Sequence, residues 1–171
     1  MVAAITLIAA LLLMLAEQRR SRRNEIALRR AGAIEPADDV YRAMAWVYPA
    51  SFVAMTVESV SRSADLQVGP LRSSFGIGLA IFVAAKLLKY WAIASLGPRW
   101  TFRVLVPPGA PMISSGPYAW LRHPNYVAVV GELIGFALTL AAPATGAVSV
   151  VLFGWLLRRR VVVEERALFR L

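Results

Sequence analysis

The stretch GPYAWLRHPNY, residues 116–126, carries side chains that are well suited to chemistry. It contains His123, the only histidine of the chain, together with Tyr118 and Tyr126. Imidazole and phenol groups can donate and accept hydrogen bonds, so the three could hold a polar ligand. The same residue types also anchor helices at a membrane surface, where tyrosines concentrate and a proline such as Pro124 begins a helix. The stretch alone leaves both interpretations open.

A second stretch, RRRVVVEER at residues 158–166, places Arg160 four residues before Glu164. Side chains at this spacing lie on one face of a helix, so the pair is expected to face the same neighbour. Leu156 and Leu157 come directly before it. A basic and an acidic group beside an apolar slot suit an amphiphilic substrate and a polar cofactor. The simpler alternative is an arginine cluster that marks the cytoplasmic end of a membrane helix.

The composition argues against several classes of protein. The 171 residues include no cysteine, which excludes disulfides, thiolate metal sites and cysteine nucleophiles. One histidine with scattered carboxylates is poor spacing for metal ligands, and no glycine-rich nucleotide-binding pattern occurs. The net charge of +9 comes from arginines beside apolar runs, as in membrane flanks, rather than from a nucleic-acid module. The residues favour a cytoplasm-facing membrane enzyme or lipid-binding protein without metal or nucleic acid.

The elements that must position these residues are apolar blocks at 1–16, 41–60, 75–96 and 126–157. A helix needs about 20 residues to cross the hydrocarbon of a bilayer. The fourth block is too long for one crossing, and AAPATGA at residues 141–147 interrupts it with proline and glycine. The pattern therefore predicts an all-α integral membrane protein with about five transmembrane helices, the last two forming a helical hairpin.

The distribution of arginine predicts the orientation. If the N-terminus is outside, the cytoplasmic connections carry fourteen arginines, and the other connections carry only Arg62 and Arg72. Cytoplasmic loops are enriched in Lys and Arg, so both polar stretches are expected at the cytoplasmic face of a membrane, the inner membrane in a bacterium.

The motifs SSGPYAWLRHPNY and RRRVVVEERAL, separated by a hairpin, resemble the isoprenylcysteine carboxyl methyltransferase family. These are integral membrane enzymes that use S-adenosylmethionine. The segment LGPRWTFRVLVPPGAPMISSGPY is similar to the bacterial branch that is often found beside type III polyketide synthases. The resemblance divides the chain into three N-terminal membrane helices, residues 1–95, and a cofactor-binding methyltransferase core with the hairpin, residues 96–171.

The resemblance also implies roles for individual residues. The cofactor contacts that it implies are Ala110, Pro111, Met112, Ile113, Tyr118, His123, Pro124, Asn125, Tyr126 and Glu164. Arg103 lies where eukaryotic members place a polar cofactor contact, although the residue type differs there. Arg160 corresponds to the arginine that binds the substrate carboxylate, and it is the residue expected to act in catalysis.

The implied function is S-adenosylmethionine-dependent O-methylation of a carboxylate or acidic hydroxyl on a lipophilic acceptor, which could be prenylated or an alkylpyrone-type polyketide. Methyl transfer mainly needs alignment and exclusion of water, so no dedicated base is expected. The alternative is a non-catalytic membrane lipid-binding or scaffold protein with the same fold. Ionisable groups at membrane depth, here Lys86, Lys89 and Glu132, could form a structural charge pair or contact the substrate.

Overall fold

A computed structural model describes residues 1–36, 39–63, 71–109 and 111–169, of which 63, 71–73, 168 and 169 are described by their backbone alone. Its helices are α1 (Val2–Arg30), α2 (Tyr41–Ser63), α3 (Leu71–Leu96), α4 (Pro124–Thr139) and α5 (Pro143–Phe169), with short 3-10 turns at Gly97–Arg99 and Gly116–Ala119. Within these residues the only extended pairing is one antiparallel bridge between Ile34 and Val106. The all-α class is therefore confirmed.

Among the described residues, two helices are long and apolar enough to cross a membrane: Val2–Arg30 and the segment Ser74–Arg99. Several helices also expose large apolar side chains, as expected for surfaces that contact lipid; examples are Leu12, Val83, Val151 and Trp155. The structure supports membrane-crossing helices in the first and third predicted positions. The count of five spans and their orientation stay predictions, and Arg170 and the side chain of Arg72, both used in that argument, lie outside the described residues.

The first helix is longer than the sequence pattern predicts. The apolar block ends at residue 16, whereas α1 continues for 29 residues to Arg30. Residues 17–30 contain neither proline nor glycine, so nothing in them breaks the helix. Gly32, with φ of 81°, follows the end of the helix. The arginines between residues 19 and 30 therefore belong to a helix rather than to a loop. The C-terminal half of α1 reaches the candidate site.

The predicted hairpin is present, but its turn is shorter than the interrupted segment suggests. Residues 140–142 connect α4 to α5, and Ala141 has φ of 51°. Pro143 then begins α5, because proline suits the first helical position. Glu58 of α2 accepts hydrogen bonds from the backbone N–H groups of Ala144 at 3.2 Å and Thr145 at 2.8 Å. This carboxylate satisfies the free donors at the start of α5.

Helices α3 and α4 pack with their backbones in close contact. A Cβ atom built at Gly135 would lie 2.5 Å from the backbone nitrogen of Phe82, and one at Gly78 would lie 2.3 Å from that of Thr139. Small residues permit such an approach between membrane helices. On the other side of α4, Tyr48, Phe52, Phe136 and Phe153 form an aromatic cluster that joins α2, α4 and α5. These two contacts fix α4, which carries part of the candidate site.

Candidate active site

A cavity of about 600 Å³ lies between the five α-helices and the segment 97–123. Its volume is within the range of about 300–1,000 Å³ that is common for small-molecule sites. Most of the predicted site residues line it: Arg103, Pro111, Met112, Ile113, Tyr118, His123, Asn125, Tyr126, Arg160 and Glu164. Ala110 lies outside the described residues. Two polar stretches that are far apart in sequence thus meet at one cavity.

Pro124 has a different position from the other predicted contacts, because it is buried at the first residue of α4. His123 is the N-cap residue of this helix. One turn later, the ring of Tyr126 stacks on the imidazole, with ring centroids 5.2 Å apart and planes inclined by 13°. The proline therefore acts on the site indirectly: it fixes where the helix begins and so which way these two rings face.

The hydroxyl of Tyr126 connects the two polar stretches. It donates a hydrogen bond to Glu164 at 2.5 Å and accepts one from Nε of Arg160 at 2.9 Å. The arginine and the glutamate therefore share a neighbour, as their spacing of four residues predicts. Nη1 of Arg160 also contacts Oδ1 of Asp39 at 3.0 Å. The result is a continuous polar chain from Asp39 through Arg160 and Tyr126 to Glu164.

Asp39 is a site residue that the sequence analysis missed. Its side chain is 5% exposed and pairs with the 7% exposed side chain of Arg160. It also accepts hydrogen bonds from the backbone N–H groups of Tyr41 and Val104, each at 3.0 Å. An aspartate shortly before a helix is a common N-cap residue, and that signal could have identified it. The aspartate fixes both the start of α2 and the orientation of the arginine.

Three neighbouring arginines have different environments. Arg160 is buried, whereas Arg158 and Arg159 are exposed. The guanidinium of Arg159 lies over the ring of Trp155 at 5.2 Å. The rotation of about 100° per residue in a helix explains the difference, and only Arg160 of the three lines the cavity.

Arg103 is held by acidic neighbours on α1 and the segment that follows it. Its guanidinium lies 2.5 Å from Glu35 and 3.6 Å from Glu25, and over the ring of Tyr41 at 4.5 Å. Burial works to raise the pKa of Glu35, but hydrogen bonds from Arg29 and Arg103 outweigh it and lower that pKa. The Glu35 hydrogen bond also raises the pKa of Arg103. Arg103 thus lines the cavity as a charge already compensated by carboxylates.

The N-terminal helix holds the segment 97–106 that forms one wall of the cavity. The side-chain amide of Asn24 donates to the carbonyl oxygens of Gly97 at 3.2 Å and Trp100 at 2.7 Å. The hydroxyl of Ser21 accepts the backbone N–H of Phe102 at 2.8 Å. These contacts cross the predicted boundary at residue 96. The first half of the chain therefore contributes to the site rather than only anchoring it.

The remaining polar groups lie around His123. Its Nδ1 is 3.8 Å from Glu164 and its Nε2 is 3.7 Å from Glu165, distances too long for hydrogen bonds. Burial, and to a smaller extent the charge of Glu164, raises the pKa of the Tyr118 phenol. This phenol therefore remains a hydrogen-bond donor at neutral pH. Within the described residues no group of three potential metal ligands occurs.

Comparison with known proteins adds a decisive observation. The sequence model of the isoprenylcysteine carboxyl methyltransferase (ICMT) family matches residues 77–170. The chain belongs to this family. The resemblance inferred from the two motifs is therefore confirmed, while the association with polyketide synthases stays a prediction. ICMT membership and the two apolar helices indicate a membrane protein and a methyltransferase.

Two similar curated proteins carry no assigned function. The uncharacterised protein YpbQ of Bacillus subtilis (strain 168) is 31% identical over 154 residues, which cover 90% of this chain and 88% of the relative. An uncharacterised protein of Haemophilus influenzae is 29% identical over 150 residues, covering 87% of this chain and 84% of the relative. No solved structure gives a significant match. These relatives extend the similarity into the N-terminal half, beyond the matched ICMT segment.

Proposed function

We propose that the protein is a membrane-embedded, S-adenosylmethionine-dependent O-methyltransferase, and that its acceptor is a lipophilic molecule with a carboxylate or an acidic hydroxyl. The observation that carries the proposal is one cavity with two kinds of wall. One end has Tyr126, Arg160 and Glu164. The rest is mainly apolar, with Met14, Met44, Val129, Phe153 and Leu157 among its lining residues.

The polar end fits the cofactor. Oδ1 of Asn125 is buried and finds no hydrogen-bond partner among the described residues, although Asn125 lines the cavity. A buried acceptor of this kind needs a donor, which the amino groups of S-adenosylmethionine would provide. Glu164 would bind its ammonium or ribose hydroxyls, and His123 with Tyr118 would hold its carboxylate. When bound, the cofactor supplies an electrophilic methyl group next to a positively charged sulfur.

The charges around this end also suit a cationic cofactor. Asp39 pairs with Arg160 directly, and Glu164 is joined to it through the Tyr126 hydroxyl. The carboxylates of Asp39 and Glu164 outnumber the guanidinium between them, which leaves an excess of negative charge. Opposite charges attract strongly where water is excluded, so a sulfonium and an ammonium would be stabilised at this end.

Arg160 would position the acceptor. Its contacts with Asp39 and Tyr126 use two of the five N–H groups of a guanidinium, so others are available for an oxyanion. A carboxylate acceptor is already ionised, and an acidic enol needs no strong base. The protein then only has to align the oxygen with the methyl group and to exclude water. Arg160 suits the alignment of the acceptor oxygen, because its side chain is itself fixed by two partners.

The apolar part of the cavity would hold the lipophilic portion of the acceptor. Its walls come from α1, α2, α4 and α5, and α1 is long and apolar enough to cross a membrane. The arginine distribution supports a polar end at the cytoplasmic face, in a bacterial inner membrane. In this arrangement the cofactor would come from the cytoplasm and the acceptor from the lipid.

The test has two steps with purified protein in detergent. Calorimetry measures S-adenosylmethionine affinity for the parent, Glu164→Gln and Glu165→Gln. Loss of a charge-assisted hydrogen bond should weaken affinity of the first variant about ten- to a hundredfold. Glu165 does not belong to the cavity wall, so its variant should change little. Mass spectrometry then screens prenylcysteine, alkylpyrone and fatty-acid acceptors for a gain of one methyl group.

Two outcomes would overturn the proposal. If the parent fails to bind S-adenosylmethionine, the methyltransferase function is wrong. If it binds acceptors but transfers no methyl group to any of them, the non-catalytic lipid-binding alternative is favoured instead.

A further inference from the structure

Four ionisable side chains from three helices meet inside the helical bundle. Nζ of Lys86 lies 2.8 Å from Glu17 and 2.7 Å from Glu132. Nζ of Lys89 lies 2.6 Å from Glu17 and 3.3 Å from Glu132. All four residues are buried. The two cations and two anions, which we call the ion cluster, carry no net charge together.

Such a cluster is a costly way to join helices. Replacing a buried ion pair by apolar residues is often neutral or stabilising, and ionisable groups at membrane depth usually mark functional sites. In this chain the cluster reaches the cavity. Glu17 and Lys89 line its wall, and so does Tyr48, whose hydroxyl donates to Glu132 at 2.5 Å.

The helices indicate how far the ion cluster lies from the polar end of the cavity. On α4, Glu132 follows Tyr126 by six residues, which corresponds to about 9 Å at a rise of about 1.5 Å per residue. On α5, Phe153 precedes Arg160 by seven residues, and its ring lies 5.1 Å from that of Tyr48. That spacing corresponds to about 10 Å. The spacings on α4 and α5 therefore give the same separation, about 9–10 Å along the helix axes, between the ion cluster and the polar end of the cavity.

The cavity continues beyond the ion cluster. On α1, Met14 and Leu11 lie about one and two turns past Glu17, on the side away from the C-terminal end of the helix, and both line the cavity. Between the cluster and the polar end, Val129 and Leu157 line the wall. A ligand that fills the cavity would thus pass an apolar wall, a polar contact and a second apolar wall.

We propose that Glu17, Lys89 and Tyr48 form a second polar contact for the acceptor, an inference that rests on the function proposed above. The acceptor that fits is an amphiphile with a neutral hydrogen-bonding group, such as a hydroxyl, about 9–10 Å from the oxygen that receives the methyl group. Nζ of Lys89 has three donors and two carboxylate neighbours, so one donor can reach this group. The Tyr48 oxygen can accept from it.

The chemistry selects against two other kinds of acceptor. A plain alkyl chain would remove water from Lys89 and Tyr48 without giving them hydrogen bonds in return. A second charged group would meet an ion cluster of zero net charge and would lose its hydration without compensation. A neutral polar group avoids both costs. Lys89 and Tyr48 therefore act as specificity determinants along the chain of the acceptor.

The experiment measures binding and does not depend on turnover. Calorimetry in detergent compares palmitic acid with hydroxypalmitic acids whose hydroxyl lies near the carboxylate, in mid-chain or at the chain end. The parent should prefer the mid-chain isomer over palmitic acid by about tenfold, the effect of one hydrogen bond to a charged group. Tyr48→Phe and Lys89→Met should each reduce this ratio towards one. Tyr48→Phe preserves the ring and all four charges, so it tests the contact even if Lys89→Met fails to fold.

Lys86→Met is the matched control. Lys86 bridges the same two carboxylates as Lys89 but does not belong to the cavity wall. Its variant should lower thermal stability and keep the preference for the mid-chain isomer. A parent without such a preference, or a preference that survives in both Tyr48→Phe and Lys89→Met, would overturn the inference. S-adenosylmethionine affinity, measured on the same samples, separates this failure from failure of the proposed function.

Discussion

The carboxylate of Asp39 lies 3.0 Å from the guanidinium of Arg160, although 121 residues separate the two in sequence. Both side chains are almost completely buried. A buried guanidinium without an anionic partner is strongly unfavourable, because a charge removed from water must be compensated. The aspartate therefore sets both the charge balance and the orientation of the residue proposed to bind the acceptor.

Asp39→Asn tests this positioning role. Asparagine keeps one oxygen, which can still accept the backbone N–H of Tyr41. It loses the second oxygen, which accepts from Val104, and the charge opposite Arg160, so we expect methyl transfer to fall by about ten- to a hundredfold. The effect should be on the KM for the acceptor more than on S-adenosylmethionine affinity. Glu35→Gln is the control, since Glu35 pairs with Arg103 in a more exposed position. If both variants retain parental acceptor KM, Asp39 has no positioning role.

Arg160→Lys tests the acceptor contact itself. Lysine has the charge but not the planar fork that reaches Tyr126 and Asp39 together. We expect turnover to decrease at least about tenfold, because a charge-assisted contact is lost, with S-adenosylmethionine affinity near that of the parent. Arg158→Lys and Arg159→Lys are matched controls on the same turn and should retain activity. Equal activity in all three variants would mean that Arg160 only marks the end of a membrane helix.

Local spacing explains which parts of the site could be predicted from the sequence. Arg160 and Glu164 share a helical face because they are four residues apart. The start of α4 at Pro124 and the hairpin turn before Pro143 follow from the fixed φ of proline. Each of these predictions depends on a few neighbouring residues.

Local spacing cannot predict contacts between segments that are distant in sequence. The position of Asp39 before α2 is typical of an N-cap residue, but no local pattern indicates that it pairs with Arg160. Glu17 directly follows the apolar block 1–16, and the charged stretch after it gives no sign that α1 continues as a helix. Its partners Lys86 and Lys89 were recognised as unusual, but the carboxylate from another helix that stabilises them was not.

Asn125→Ala tests the cofactor end of the cavity. The unpaired oxygen of Asn125 is buried without a partner among the described residues, so its removal should cost the ligand-free protein little stability. Affinity for S-adenosylmethionine should fall by about fivefold or more, as expected for one lost hydrogen bond. Thermal unfolding with and without the cofactor measures both effects on one sample. A variant that is destabilised without cofactor and binds it normally would assign Asn125 a structural role.

Gly135→Ala tests the close packing that fixes α4 against α3. The added Cβ atom would lie 2.5 Å from the backbone nitrogen of Phe82, and backbone atoms cannot rotate away as a side chain can. The helices would have to separate, at a typical cost of about 1–3 kcal/mol for an overpacked core.

Gly154→Ala on α5 is the matched control, because its Cβ atom would meet nothing within 4 Å. Alanine is also the better helix former, by about 0.5–1 kcal/mol. Thermal unfolding in detergent should therefore show Gly135→Ala below the parent and Gly154→Ala at or above it. Because α4 carries His123 and Tyr126, Gly135→Ala should also weaken S-adenosylmethionine binding. If the two variants were equally stable, the contact between α3 and α4 would be looser than the structure has it.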